Sequence, residues 1–211
     1  MKISKKATSI AEAIVVTLII VVWLTWVYNI FMQSIKLTGS IENKIQAIQI
    51  AREWIEWITN IRNTNWILFP SNIDSCWKTL NYDNRCIPAV LYNEIDPTSY
   101  KIYRDSDFRW ILEEPGWWVG TNYSDPTYRA FYNVWLTASW TYSQTTDITT
   151  NLRQIYTREL KVETINAITA DWSTNNHWLK ITSIVQWKDS SKNDSRKIEI
   201  ESILTNYKNK N

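Results

Sequence analysis

Glycine is scarce in this chain, with three residues in 211, where ordinary globular proteins carry about 7%. Histidine occurs once, at His177, and cysteine twice, at Cys76 and Cys86. These shortages exclude several classes. A four-ligand zinc site would need more than two cysteines and one imidazole far away in sequence. No Gly-rich phosphate loop, HExxH, C-x-x-C or serine–histidine–aspartate context is present, so no catalytic residue, cofactor or metal is expected. His177 stands between polar residues at a strand start and is expected at the surface. Glu113 and Glu114 are adjacent, and on a strand they would point to opposite faces rather than form a carboxylate pair. An excess of charge is also missing: 23 Lys and Arg face 21 Asp and Glu, a net charge of +2. That is no field for nucleic acid. Lys2, Lys5 and Lys6 all precede the first apolar run, and subtracting these three leaves the rest of the chain at −1.

What the chain does have is apolar: 45% of its residues are hydrophobic, which excludes a wholly disordered protein. Its length suits one compact domain plus an extended element. From Ile10 to Phe31 the sequence reads IAEAIVVTLIIVVWLTWVYNIF, long enough to span a hydrocarbon core as a helix. The flanking lysines predict a cytoplasmic N-terminus, with everything after Lys36 outside. A cleaved secretory signal would have a shorter core and a small-x-small site, and Tyr28-Asn29-Ile30-Phe31 offers none. A plain anchor explains the length and the lysines but not Glu12. A carboxylate near the start of a lipid-exposed helix is costly and usually has a specific partner.

The stretch KKATSIAEAIVV resembles the type IV prepilin signal: a short basic leader, a small residue, then an apolar helix with glutamate as its fifth residue. In this register the resemblance makes Ala7 the last leader residue and Thr8 the first of the mature chain. It implies cleavage between them by a prepilin peptidase, N-methylation of Thr8, and an assembly role for Glu12. One subunit's α-amine would neutralise its neighbour's buried glutamate, so the charge becomes tolerable in the assembled fibre. Ala7 stands where glycine is commoner in that family, and Thr8 where Phe or Met is commoner. The implied partners are other pilin subunits, the prepilin peptidase, a pilus assembly platform and the membrane.

Beyond Thr38-Gly39-Ser40, where a local loosening and a helix restart capped by Ser40 are predicted, apolar residues recur at helical spacing. They are Ile41, Ile45, Ile48, Ala51, Ile55, Ile58 and Ile61. The opposite face carries Glu42, Lys44, Gln46, Arg52, Glu53 and Glu56. Pro70 ends anything helical that reaches it. A rod from Thr8 to about Asn65 would be roughly 87 Å long. The run AREWIEWITNIRNTNW, residues 51–66, resembles a stretch of minor pilins and pseudopilins, with Trp54 and Trp57 where that family has small residues.

After Pro70 the pattern becomes short β-type runs at 88–92, 99–105, 108–114 and 127–136. A Ser/Thr-rich loop follows at 137–151, and then stronger strands at 154–168, 177–187 and 195–207. Leu179, Ile181, Val185 and Trp187 share one face of their strand, and Ile198 and Ile200 one face of theirs. The polar link KDSSKNDS predicts that the last two strands form a hairpin. This ending again resembles minor pilins and pseudopilins in layout. Cys76 and Cys86 enclose a short polar loop, which suits a disulfide if that segment lies in an oxidising compartment. Two separate thiols are the other reading.

The fold class expected is α+β: a long N-terminal helix, half transmembrane and half amphipathic, packed on a C-terminal antiparallel sheet as in pilins. The organisation expected is a leader at 1–7, a transmembrane half at 8–35, an amphipathic half at 36–66 and a β-rich body outside the cytoplasm at 67–211. Two functions follow. One is a structural subunit, a minor pilin or pseudopilin, of a type IV pilus or type II secretion-like filament. The other is a single-pass anchored surface domain that binds a glycan or partner cell.

Tryptophan offsets the missing glycine, with fourteen residues in 211. Several stand where local chemistry asks for glycine: Trp117 and Trp118 in EEPGWWVGTN, Trp140 in Ala-Ser-Trp-Thr, and Trp172 in Ala-Asp-Trp-Ser-Thr. A gene that reads UGA as glycine, translated with UGA as tryptophan, would produce this pattern. Keeping Trp66 and Trp187, which fit family positions, and reading the other twelve as glycine brings glycine to fifteen, about 7% of the chain. A truly Trp-rich binding surface is the competing reading.

Overall fold

The computed structural model describes residues 5–79, 95–104, 110–137, 142–143, 151–165, 167–168, 174–175, 178–189 and 194–206. Two units divide the chain between Lys44 and Ile45.

The first unit is helical throughout its described length, as the opening part of helix α1 (Lys5–Leu68). Its side chains from Ile10 to Gly39 are exposed, although most of those from Ile10 to Ile35 are apolar. The loosening expected at Thr38-Gly39-Ser40 is absent. Helical bonding runs through Gly39, and Thr38 turns its hydroxyl back onto the Ser34 carbonyl at 2.9 Å instead of marking an end. One glycine costs a helix interior only about 1 kcal/mol relative to alanine, too little to break so long a run. Ser40 is therefore an internal residue, not an N-cap.

In the second unit α1 continues to Leu68, two residues before Pro70, as the proline predicts. The face it buries is the expected one only in part: Ala51, Ile58 and Ile61 belong to both. Ala47, Ile50, Ala51, Trp54, Ile58 and Ile61 are buried, whereas Ile41 and Ile45 are exposed and Ile48 and Ile55 lie between. Both stripes have helical spacing, and the choice falls to the positions with a sheet to cover.

That sheet has seven strands, all antiparallel to their neighbours. They are β1 (Ser99–Arg104), β2 (Trp110–Glu113), β3 (Asn133–Thr137), β4 (Tyr142–Ser143), β5 (Asn151–Thr164), β8 (Trp178–Asp189) and β9 (Asp194–Thr205). β6 (Ala167–Ile168) and β7 (Thr174–Asn175) form a separate two-stranded ribbon. β5 is the hub. One side pairs with β8 from Tyr156↔Trp187 to Thr164↔Leu179. The other pairs with β3 through its first half and with β1 at Leu160 and Lys161. β8 and β9 form the expected hairpin, in register from Trp178↔Thr205 to Asp189↔Asp194.

Alternation puts Leu179, Ile181, Val185 and Trp187 on the buried face, as predicted, with Tyr156, Leu160 and Val162 of β5 beside them. One cluster joins Ala47, Ile50 and Ala51 of α1 to Val134, Tyr156, Val185 and Trp187. A larger one joins Trp54, Ile58, Ile61 and Trp66 to residues of β1, β5, β8 and β9. Fully burying each large apolar side chain contributes about 1.5–3 kcal/mol.

The strand expected over 127–136 is corrected. Pro126–Phe131 is a short helix, α3, and only from Asn133 does the chain turn to β3. Asp125 caps α3, its carboxylate accepting from the Thr127 N–H at 2.8 Å, with Pro126 in the first turn. The capping carboxyl lies so close to Gly120 that an added Cβ there would sit 2.1 Å from Asp125 Oδ2, so this turn needs a residue without a side chain. A four-residue helix, α2 (Ile73–Cys76), follows Pro70. The run expected at 88–92 lies outside the described residues.

Candidate functional site

The helix that begins at Lys5 carries the residues on which the sequence argument rests. Ala7 and Thr8 are helical in α1, and their side chains lie outside the description. Glu12 is exposed on the same helix. From Ala13 to Ile35 no acidic or basic side chain follows, and the next charge is Lys36. By length and hydropathy this helix is able to cross a membrane. Its polar side chains fit that solvent. Thr17 donates to the carbonyls of Ala13 and Ile14 at 2.7 and 2.9 Å, and Thr25 to that of Val21 at 2.7 Å. Each hydroxyl is thereby satisfied without water, as a lipid core requires. Glu12 has no such recourse, because an ionised carboxylate has no proton to donate to a backbone carbonyl.

In the second unit, the helix is fastened to the sheet by polar contacts set among the apolar ones. Arg158 of β5 is wholly buried, and its Nη1 donates to Glu53 Oε2 at 3.1 Å and to the Ile50 carbonyl at 3.4 Å. Burial pushes the guanidinium's pKa down, and the Glu53 carboxylate opposes that shift and holds the charge. The same guanidinium lies over Trp54, 4.0 Å from the ring centroid, and 5.3 Å from that of Trp57. Tyr156 donates its hydroxyl to Gln46 at 2.9 Å. Further along α1, Asn65 donates to the carbonyls of Trp77 and Thr79, and Trp66 Nε1 donates to Asn206 Oδ1 at 3.1 Å. Glu53 and Gln46 belong to the face expected opposite the apolar stripe, and only the fold brings their partners, 105 and 110 residues along the chain, to meet them.

A second polar group was not anticipated. Glu159 of β5 accepts from Ser99 Oγ and from the Tyr128 hydroxyl, both at 2.6 Å. Desolvation, and then the nearby Glu159 charge, push the pKa values of Tyr128 and Tyr132 upward, so both phenols stay protonated and Tyr128 remains a donor to Glu159. The group ties β1 and α3 to the hub strand.

Cys76 is buried at the end of α2, and Cys86 lies outside the described residues, as does His177. Glu113 ends β2, and Glu114 is exposed just beyond it. Among the described residues no group of three or more His, Cys, Asp or Glu gathers in a way that would hold a metal ion. The chain matches no protein-family model, no curated protein and no solved structure.

Proposed function

We propose that this chain is a pilin-like structural subunit, of the minor pilin or pseudopilin kind, that polymerises through its N-terminal helix into a type IV pilus or type II secretion-like filament. The observation that carries the reading is Glu12, an exposed carboxylate followed by more than twenty residues without a charge. A charge placed in lipid by a lone anchor costs about 2.5–3.5 kcal/mol at the centre of a span. Near the end of the span the cost is smaller, but it still favours any arrangement that supplies a cation. In the proposed subunit the register KKATSIAE makes Thr8 the new N-terminus, and its α-amine, docked against a neighbour's Glu12, supplies that cation. The same helix continues, in the second unit, into a face that packs on an antiparallel sheet, the α+β arrangement such a subunit needs.

The test is made on the full chain expressed alongside a prepilin peptidase and the assembly machinery. Terminal peptide mass spectrometry of fibre material is expected to find Thr8 as the methylated first residue. Glu12→Ala is expected to reach the membrane at wild-type levels, since it removes the one carboxylate of the span, yet to be missing from sheared fibres. Incorporation equal to wild type, together with an intact Lys5-Lys6-Ala7 terminus, would favour the anchored surface domain.

A further inference from the structure

We infer that the protein made in its own host carries glycine at positions 54, 57, 110 and 117, and tryptophan at 66 and 187. The inference is independent of the assembly reading and rests on how well each site accommodates an indole.

Trp66 and Trp187 occupy sites that suit the side chain. Trp66 is nearly buried, its Nε1–H is bonded to Asn206 Oδ1 at 3.1 Å, and Arg62 covers its ring at 4.5 Å. A buried indole is stabilised by a partner for its one donor and by close contacts for its faces. Trp187 is buried against Tyr156 in an edge-to-face contact with centroids 6.1 Å apart, inside the range such pairs prefer.

Each of the other four sites is unfavourable for an indole in at least one respect. Trp54 is fully buried with the Arg158 guanidinium over its ring at 4.0 Å, yet its Nε1–H has no hydrogen-bond partner, an arrangement that costs about 1–3 kcal/mol. Trp57 and Trp110 have ring centroids only 3.6 Å apart with their planes inclined by 28°, below the roughly 4.5–7 Å of ordinary aromatic pairs. Three indoles and the Arg158 guanidinium thus crowd one space between α1 and the sheet. Overfilling of that kind is destabilising. Glycine at 54 and 57, one turn apart, would relieve the crowding and let helix and sheet approach. Trp117 has the opposite fault. It is 98% exposed in the turn after Pro115-Gly116, so its large apolar surface gains nothing from folding. A glycine is the ordinary occupant of such a turn.

Composition supports the same substitution without reference to any site, because fourteen tryptophans and three glycines invert normal usage. UGA read as glycine by the host supplies the chemistry: one codon, two amino acids in two translation tables. An aromatic glycan platform at Trp117 would then not exist in the native molecule.

The experiment is tandem mass spectrometry of tryptic peptides from protein isolated from its natural host, together with sequencing of the codons. Peptide 53–62 reports positions 54 and 57, peptide 110–129 reports 110 and 117, peptide 63–78 reports 66, and peptide 181–188 reports 187. The expected result is glycine at 54, 57, 110 and 117, each encoded by TGA, and tryptophan at 66 and 187, each encoded by TGG. Tryptophan at any of the first four, or glycine at either of the last two, overturns the inference.

Discussion

Taking Arg158 out of water costs several kcal/mol, and the offset comes from a residue on another element, Glu53 of α1. The two partners are not equivalent. The Arg158 side chain is 1% exposed, whereas that of Glu53 is 37% exposed and keeps contact with solvent. Removing the carboxylate strands a buried guanidinium, while removing the guanidinium leaves a carboxylate that water can still reach. Glu53→Gln keeps an acceptor oxygen but loses the charge, and is therefore expected to destabilise the folded protein by about 1.5–3 kcal/mol, the range for a hydrogen bond to a charged group. Arg158→Met is expected to cost clearly less. Chemical denaturation of both variants measures the difference, and equal losses would show that the pair is not arranged as described.

At the scale of an element, α3 shows both what sequence patterns reveal and where they fail. Its side chains, TYRAF running into YNVWL, are the aromatic and branched residues that favour strands, and they outweighed a start signal standing just before them. Asp125-Pro126 is a helix opening, the carboxylate accepting from the Thr127 N–H and proline placed where no donor is needed. The Thr127 hydroxyl and then its N–H, both bonded to Asp125, hold that carboxyl below its ordinary pKa. A depressed carboxyl contributes stability that is present above the unfolded pKa of about 3.9 and lost as pH falls through the folded value. Asp125→Ala is accordingly expected to melt below wild type at neutral pH, with the gap closing as pH drops under about 4. A gap unchanged down to about pH 2 would remove the cap from the explanation. Elements with one dominant period were legible: α1 up to Pro70, β1, β2 and the β8–β9 hairpin. The buried stripe of α1 was legible only at Ala51, Ile58 and Ile61, because two helical stripes overlap there and only the sheet selects between them. Glu53–Arg158 and Ser99–Glu159–Tyr128 were not legible either, since each joins residues far apart in sequence through a strand order that no local pattern encodes.

For the whole molecule, the reading as a filament subunit carries an orientation. Lys2, Lys5 and Lys6 lie on one side of the apolar run, so the body is expected outside the cytoplasm. Protease added to intact spheroplasts should digest the chain beyond Lys36 and leave a short membrane-embedded fragment, whereas protection until lysis would reverse the assignment. The ties between the end of α1 and the sheet have a mechanical consequence. Gln46 and Glu53 are bonded to β5, in the interior of the sheet, and Arg62 and Trp66 to Thr205 and Asn206, where the last described strand ends. A tug on this part of the helix is shared between a central strand and the end of β9 at the same moment. Peeling would break such bonds one after another. Here they are loaded in parallel, together with the apolar contacts between them, so the seat resists as a sheared joint and gives way only when many bonds fail at once.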